Sequence, residues 1–178
     1  MKLKQLGLKE VYLIENFFHE DERGKFVKMF HKEQFEKEGI NDLDFREMYY
    51  SQSKKNTIRG MHFQMPPSEH SKLIYLTSGE VIDVLLDLRK DNETFGSFID
   101  IHLKAHYNAI YIPRGIAHGF KTLSDDTTMI YNLTSEYDPD RDMGIYYDSF
   151  GYNWNIENPI VSDRDKKQVL FNNFKTPF

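Results

Sequence analysis

The sequence has no cysteine, which excludes disulfide bonds, thiolate metal sites and a cysteine nucleophile. No apolar run approaches the roughly 20 residues that a membrane-spanning helix needs. The first residues, Met1 to Lys4, lack the apolar core of a secretion signal. There is no excess of positive charge either, and the net charge of -5 argues against binding to duplex nucleic acid. These absences predict a cytoplasmic protein with neither a membrane nor a nucleic acid as its partner.

The remaining composition is typical of a folded globular chain. Its 178 residues, 39% hydrophobic and 29% charged, suffice for one domain, residues 1–178, with a buried core. Aromatic residues make up 15% of the chain, and large rings suit either a β-sandwich core or stacking on a flat ligand. Composition alone does not separate these two uses.

Short β-branched and aromatic runs recur along the chain, separated by glycine-containing turns, and predict an all-β sandwich or jelly roll. The predicted strands cover residues 11–14, 26–30, 45–51, 73–76, 81–88, 98–103, 109–112 and 129–133. Residues 17–24 are predicted as a polar turn between the first two. A short surface helix is expected from Lys32 to Glu38, ended by Gly39. From Tyr137 onward the pattern predicts loops with one or two short helices.

Two aspartates interrupt the apolar run 81–88. Because side chains alternate along a strand, Asp83 and Asp87 are expected on the same face. We predict that Asp87 faces solvent. Asp83 is expected instead to face the interior, where it would pair with a cation such as Lys72.

Arg59-Gly60-Met61-His62-Phe63-Gln64 carries more polar side chains than an ordinary core strand. An unpaired buried charge or imidazole costs several kcal/mol, so such density needs a reason. Histidine titrates near neutrality and can serve as a base without special activation. A structural histidine at a strand end is the alternative, and it would be preferred if the segments around His118 and Tyr131 did not add further polar groups.

Pro113-Arg114-Gly115-Ile116-Ala117-His118 resembles the Pro-x-Gly-x-x-His motif of cupins. Many cupins bind a metal through a His-x-His pair, but the corresponding residues here are His62 and Gln64. Glu69 and His70 are the residues that could be recruited, yet a site built on histidines usually has three firm protein ligands. The sequence therefore predicts no metal. A metal-dependent cupin isomerase or oxygenase is kept as the alternative function.

The whole chain resembles the dTDP-4-dehydrorhamnose 3,5-epimerase family. The matching motifs are Phe18 to Phe26 with Asp21-Glu22-Arg23-Gly24, Arg59 to Gln64 with Pro66-Pro67, Lys72-Leu73, Gly79 to Arg89, Thr94 to Gly96, Ile112 to Phe120, Tyr131, Tyr137, Gly144-Ile145 and Ser162 to Asp165. The resemblance implies a cupin-like jelly roll (a double-stranded β-helix) with a few short helices, no cofactor and no metal. It also implies a homodimer in which N-terminal strands contribute to the partner's sheet and pocket.

The resemblance assigns catalytic roles to four residues. His62 would be the base, Tyr131 the acid on the other side of the sugar ring, and Lys72 the group that stabilises the enolate. Asp165 would orient the imidazole, with Asp163 as its rival. Taken singly, Lys72 is as well explained as a surface lysine, and Tyr131 as a core aromatic.

The resemblance also implies a substrate pocket for a nucleotide-linked 4-keto-6-deoxy sugar. Its expected residues are Arg23 and Arg59 at the pyrophosphate, His118 at the sugar end, Asp83 beside Lys72, and Phe18, Glu47, Tyr49 and Gln64. A sugar-binding module that has lost catalysis is a third possible function, but binding alone needs neither a base nor an acid.

Three positions depart from the family pattern. Glu47 and Tyr49 stand where the family usually has Gln and Asn, and Tyr75 stands where it often has Arg. We expect these positions to contact nucleotide and sugar, so the changes predict a different ligand. A GDP-linked 4-keto-heptose, used for surface polysaccharide, is the hypothesis. Whether C3, C5 or both are inverted stays open.

Overall fold

The computed structural model describes residues 1–178 and builds them mainly from antiparallel strands. The strands are β1 (Lys2–Gln5), β2 (Tyr12–Glu15), β3 (Phe17–Asp21), β4 (Gly24–Lys28), β5 (Glu47–Ser53), β6 (Ile58–Gln64), β7 (Lys72–Ser78), β8 (Glu80–Asp87), β9 (Phe98–Lys104), β10 (Asn108–Ile112), β11 (Ile116–Thr122), β12 (Thr127–Leu133) and β13 (Asp142–Gly144). One α-helix, α1 (Lys32–Lys37), and two 3-10 turns, Asp165–Lys167 and Phe171–Asn173, complete the set. None of these helices has the length and apolarity to cross a membrane.

Two sheets pack face to face. The six-stranded sheet has the order β1-β2-β10-β7-β12-β5, and the five-stranded sheet has the order β13-β6-β11-β8-β9. A cluster of 14 buried hydrophobic residues lies between them, including Ile74 and Met129 from one sheet and Val81 and Leu85 from the other. This double-sheet arrangement confirms the all-β, jelly-roll prediction.

The outer face of each sheet is covered by its own chain. Phe35 of α1 packs on the six-stranded sheet, against the face that carries Tyr111. The C-terminal segment covers the five-stranded sheet, where Phe150 and Trp154 pack in one cluster with Met61. Parts of both sheets are therefore buried on both sides, whereas β9 and β5 keep exposed residues on their outer faces.

The structure confirms the predicted helix and the short C-terminal helices, but the predicted polar turn over 17–24 was wrong. Residues Phe17–Asp21 form β3, which pairs with β4 as a separate two-stranded sheet. This hairpin is exposed on both faces, so it lacks the apolar alternation by which strands are recognised in a sequence. Strand β1 was not predicted for the same reason.

Asp83 and Asp87 lie on the same face of β8, as predicted, but the solvent-facing prediction for Asp87 was wrong. Its side chain is fully buried and accepts hydrogen bonds from Arg89 Nη2 at 2.7 Å and from Thr94 Oγ1 at 2.6 Å. Burial acts to raise the pKa of Asp87, but the bonds from Arg89 and Thr94 outweigh it and lower the pKa. Asp87 is thus a buried anchor for the following turn.

A β-bulge where β6 pairs with β11 decides which β6 side chains face the interior. His118 pairs with His62 and Phe120 pairs with Arg59, so three steps along β6 match two along β11. Residues three apart in a regular strand point to opposite faces, but the extra residue lets Arg59 and His62 line the same cavity. Gly60 lies in the bulge at φ +133°. Only glycine fits there, because a Cβ atom would lie 2.4 Å from Gly119 Cα.

We expect Gly60→Ala to lower the free energy of unfolding by several kcal/mol, because it adds a backbone clash to the cost of an unfavourable φ, itself about 1–3 kcal/mol. Gly24→Ala is the matched control, since Gly24 also has a positive φ (+112°) but nothing lies within 4 Å of the point that an added methyl group would occupy. Urea unfolding of both variants checks this. Equal losses would show that the contact with Gly119 is unimportant.

Candidate active site

Two adjoining cavities open between the sheets and share Tyr49, His62 and Lys72. The small cavity, about 140 Å³, is lined by Tyr49, Ser51, Arg59, His62, Lys72, His118, Phe120 and Tyr131. The adjoining cavity, about 280 Å³, is lined by Tyr49, His62, Phe63, Gln64, His70, Lys72, Leu133, Tyr137, Asp142 and Arg164. The two therefore form one candidate site whose walls come from both sheets and from the C-terminal loops.

His62 is held by a buried carboxylate. Its Nε2 lies 2.7 Å from Asp165 Oδ1, while Asp165 Oδ2 accepts the Gly60 N–H at 3.2 Å. Asp165 opens a 3-10 turn and is 4% exposed. Asp163, its rival in the sequence, is 90% exposed and lies near Lys166 instead. The structure thus places Asp165, and not Asp163, against the imidazole.

The Asp165 carboxylate also determines which nitrogen of the neutral imidazole carries the proton. Burial acts to raise the pKa of Asp165, but the hydrogen bond and charge of His62 and the Gly60 amide lower it below its usual range. An ionised carboxylate only accepts hydrogen bonds. In a neutral His62, Nε2 therefore carries the proton and donates a hydrogen bond to Asp165. The lone pair is then on Nδ1, which is the atom able to act as a base.

Tyr131 lies across the small cavity from His62, on β12 of the opposite sheet. It is 7% exposed, and its hydroxyl lies 3.3 Å from Ser51 Oγ. Burial raises the pKa of Tyr131 well above its usual value, so the phenol stays protonated at neutral pH. The cavity therefore has a base on one wall and a proton donor on the other.

Lys72 supplies a positive charge between them. Its side chain is 6% exposed, and Nζ donates a hydrogen bond to the backbone carbonyl of His62 at 3.1 Å. Burial lowers the pKa of Lys72 to about 8, although the negative charges of Asp142 and Asp83 act in the opposite direction. The amine is therefore mostly protonated at pH 7, and it can stabilise an oxyanion in the cavity.

The predicted roles of Asp83 need correction. Its Oδ2 lies 2.7 Å from His118 Nε2, and it forms no hydrogen bond with Lys72. Asp83 is fully buried and lines neither cavity, so it does not contact a ligand there. Its effect on Lys72 is that of a nearby charge. His118 lines the small cavity as predicted, and burial lowers its pKa, so this imidazole is neutral near pH 7.

Arg59 lines the small cavity and Gln64 lines the adjoining one, and each also forms hydrogen bonds to other parts of the chain. Arg59 Nε donates to Ser53 Oγ at 3.0 Å, which ties the guanidinium to the edge strand β5. Gln64 Oε1 accepts the Asp138 N–H at 2.7 Å, and Nε2 donates to the Ser68 carbonyl at 2.7 Å. The Gln64 amide therefore holds two loops together at the wall of the adjoining cavity.

Arg23 and Phe18, which were expected to bind substrate, line neither cavity of their own chain. Both belong to the β3–β4 hairpin, which pairs with neither main sheet. Arg23 is 84% exposed and donates to Asp21 through Nη2. Phe18, 41% exposed, contacts Tyr107 edge-on with the ring centroids 5.6 Å apart.

The three positions that depart from the family pattern have separate locations. Tyr49 lines both cavities. Glu47 lines neither, and its carboxylate accepts the N–H of Tyr137, so it anchors that loop. The prediction for Tyr75 was wrong, because side chains of β7 alternate: Ile74 faces the space between the sheets, whereas Tyr75 packs on the outer cluster.

Four residues of the adjoining cavity were not expected to take part in substrate binding or catalysis: Asp142, Arg164, Tyr137 and His70. Asp142 Oδ2 accepts from Arg164 Nη2 at 2.8 Å, and the Tyr137 hydroxyl lies 3.3 Å from the same carboxylate. The fourth of these residues is His70, and burial lowers the pKa of its imidazole to about 3. Tyr137 and Arg164 belong to the motifs quoted above, and polar residues in such loops often carry function. No periodicity, however, shows that they meet.

Glu69 and His70 do not complete a metal site. No group of three or more histidine, aspartate and glutamate side chains is placed to hold a metal ion anywhere in residues 1–178. His70 Nδ1 instead lies 3.2 Å from Ser135 Oγ.

Comparison with known proteins gives a consistent result. The family model described as dTDP-4-dehydrorhamnose 3,5-epimerase matches residues 5–173. A dTDP-4-dehydrorhamnose 3,5-epimerase of Shigella flexneri is 33% identical over 168 residues, which cover 93% of each chain. The similarity therefore extends across nearly the whole sequence.

Solved structures show the same fold. One is an epimerase of Legionella pneumophila in complex with dTDP-4-keto-L-rhamnose; it is 30% identical, with a TM-score of 0.90 over 98% of this chain and 94% of that one. Another is a 3'-monoepimerase of Streptomyces bikiniensis in complex with dTDP-quinovose, 27% identical, with a TM-score of 0.85 over 93% and 85%. Relatives of this architecture thus include enzymes named for inversion at one carbon and at two.

Proposed function

The chain belongs to the dTDP-4-dehydrorhamnose 3,5-epimerase family of isomerases, and from this premise we propose that it inverts C3, C5 or both of a nucleotide-linked 4-keto-6-deoxy sugar by cofactor-independent proton transfer. One observation supports the mechanism: His62 and Tyr131 line one cavity from opposite sheets, and Lys72 lines the same cavity. Inversion of a carbon centre requires a base on one face and an acid on the other.

The reaction follows from the acidity that a carbonyl confers on its neighbours. His62 Nδ1 removes the proton from the carbon next to C4, and the electron pair of that C–H bond passes to the C4 oxygen as an enolate. Lys72 stabilises this oxyanion, and one such donor is worth about 3–4 kcal/mol. Tyr131 then protonates the opposite face of the carbon, and Asp165 stabilises the imidazolium left on His62.

The two cavities suit the two parts of the substrate. We assign the sugar ring to the small cavity, where His118 adds a polar contact to the catalytic groups. Arg59, expected at the pyrophosphate, lines this cavity too, so we place it where the sugar meets the phosphates. The nucleotide then lies in the adjoining cavity. Tyr137, 58% exposed, offers a ring on which a base can stack, and Arg164 offers a guanidinium to a phosphate.

The nucleotide itself is the open part of the proposal. Relatives in the solved structures hold dTDP sugars, so dTDP is the first candidate. A GDP-linked 4-keto-heptose for surface polysaccharide is the second, and it now rests on Tyr49 alone. Glu47 anchors a loop and Tyr75 packs on the outer face, so neither supports a changed ligand.

We also propose a homodimer in which the β3–β4 hairpin serves the partner's site. The hairpin is exposed throughout and presents Phe17, Phe18 and Phe26, which are 51%, 41% and 60% exposed. Isolated two-stranded ribbons are marginally stable in water, and clustered exposed rings usually mark an interface. Arg23 at the tip would then approach the partner's cavities.

Proton transfer predicts that solvent deuterium enters C3, C5 or both during turnover. His62→Ala should abolish this exchange, while Tyr131→Phe should retain exchange but lose inversion, because only the returning proton is affected. NMR of dTDP-, CDP- and GDP-linked 4-keto sugars incubated in D₂O gives both readouts. Undiminished exchange in His62→Ala would refute the assignment of the base, and a clear preference for dTDP would refute the GDP hypothesis.

Lys72 predicts the alkaline limb of the pH profile. A protonated amine is needed, and its pKa is about 8, so kcat/KM should fall as the pH rises through about 8. Lys72→Gln should lower kcat/KM about 100- to 1000-fold and remove this limb, whereas the exposed Lys104→Gln should change neither. A limb that persists in Lys72→Gln belongs to another group.

Subunit mixing tests the hairpin. Arg23→Ala and His62→Ala homodimers should both be impaired, because each site then lacks one essential group. If Arg23 serves the partner's site, a dimer of one Arg23→Ala subunit and one His62→Ala subunit has one intact site. Such mixed dimers should then show about half of the activity of the same amount of wild-type dimer. Light scattering establishes the dimer independently. No recovery on mixing would place Arg23 outside the partner's site.

A further inference from the structure

Tyr49 stacks on the proposed acid. The two residues are directly opposite in the antiparallel pairing of β5 with β12. Their rings are nearly parallel, at 26°, with the centroids 4.7 Å apart. Side chains of a directly opposed pair lie on the same face of the sheet and interact closely. Tyr49 therefore covers one face of the Tyr131 ring along the wall of the small cavity.

Tyr131 also packs in the 14-residue core cluster, and it has two further contacts at the cavity. Its hydroxyl has one partner, Ser51 Oγ, at the long distance of 3.3 Å. The His118 ring meets it edge-on, at 68°, with the centroids 6.2 Å apart. Of its two ring contacts at the cavity, the stack with Tyr49 is the closer and the only one in which the rings are nearly parallel.

Tyr49 is not part of the buried core. It belongs to none of the three hydrophobic clusters, and it is 45% exposed. Burial, followed by the charges of Glu47 and Asp142, raises its pKa to about 12, so its phenol is neutral under ordinary conditions. What the residue contributes to the site is thus an uncharged ring beside the acid.

We propose that Tyr49 is a positioning residue that holds the Tyr131 phenol in the orientation required to protonate the face opposite His62. This inference rests on the proposed function, because it needs Tyr131 to be the acid. Under this proposal, Tyr49 affects only the step in which Tyr131 protonates the carbon. The removal of the proton by His62 does not depend on Tyr49. Tyr49 need not touch the reacting carbon.

A positioning role for Tyr49 has a consequence that a general structural role lacks. Once His62 has broken the C–H bond and the electron pair lies on the enolate oxygen, the carbon has two fates. His62 can return a proton to the same face, or Tyr131 can donate its own to the opposite face and regain one from solvent. The His62 side chain is 32% exposed, so its proton exchanges with solvent. The first fate therefore gives deuterium without inversion.

The experiment measures the ratio of deuterium incorporated with retention to product formed with inversion, by NMR in D₂O with the preferred 4-keto sugar nucleotide. Tyr49→Ala should raise this ratio about tenfold, because only the second fate is slowed. Tyr49→Phe keeps the ring and should stay within about twofold of the wild type. Tyr50→Ala is the matched control: it is the next residue of β5, 70% exposed, and lines neither cavity.

An unchanged ratio in Tyr49→Ala, whether total turnover falls or not, would overturn the positioning role. An increase in Tyr49→Phe as large as that in Tyr49→Ala would overturn it as well, because the hydroxyl and not the stacked ring would then be responsible. Failure of the proposed function looks different, since the wild type itself would show no exchange at C3 or C5 with any of the substrates.

Discussion

The close contact of β6 with β11 is the constraint on which the site depends. Backbone meets backbone there because Gly60 and Gly119 have no side chains, and the bulge inserts one extra residue into β6. Without that residue, strand alternation would send either Arg59 or His62 to the outer face, into the apolar cluster that the C-terminal segment covers. The bulge thus places an imidazole and a guanidinium in the same cavity, and the Gly60 amide also helps to hold Asp165.

The interior around this bulge contains more ionisable groups than a sandwich core normally holds. Two of the buried carboxylates are paired with an imidazole: Asp165 with His62, and Asp83 with His118. The compensation is incomplete, because Asp83 Oδ1 has no hydrogen-bond partner and Lys72 has only a backbone carbonyl. Such groups lower stability, and they shift the pKa of Lys72 into the range where its charge depends on pH. The cost in stability is thus concentrated at the candidate active site.

Several parts of the structure follow directly from the sequence. Helix α1, most of the core strands and the shared face of Asp83 and Asp87 were predictable, because a glycine that ends a helix and the alternation of side chains along a strand are visible in the sequence. The β3–β4 hairpin was not, since it buries neither face. Asp87 was misplaced because a fully buried carboxylate is expected only when its partners are known, and Arg89 and Thr94 meet it through a turn. The family motif pointed to Asp165 without excluding Asp163, because both lie in the same charged segment.

The sequence by itself determined which functional groups are available, among them a histidine, a tyrosine and a lysine but no thiol, and its motif order identified the family. Which of these residues meet was set by the folded chain. Asp165 reaches His62 across more than a hundred residues, Asp83 binds His118 instead of Lys72, and Tyr75 points away while Tyr49 stacks on Tyr131. The reason is physical, since strand register, the bulge and loop docking set these contacts, and each depends on packing between segments that are distant in the chain.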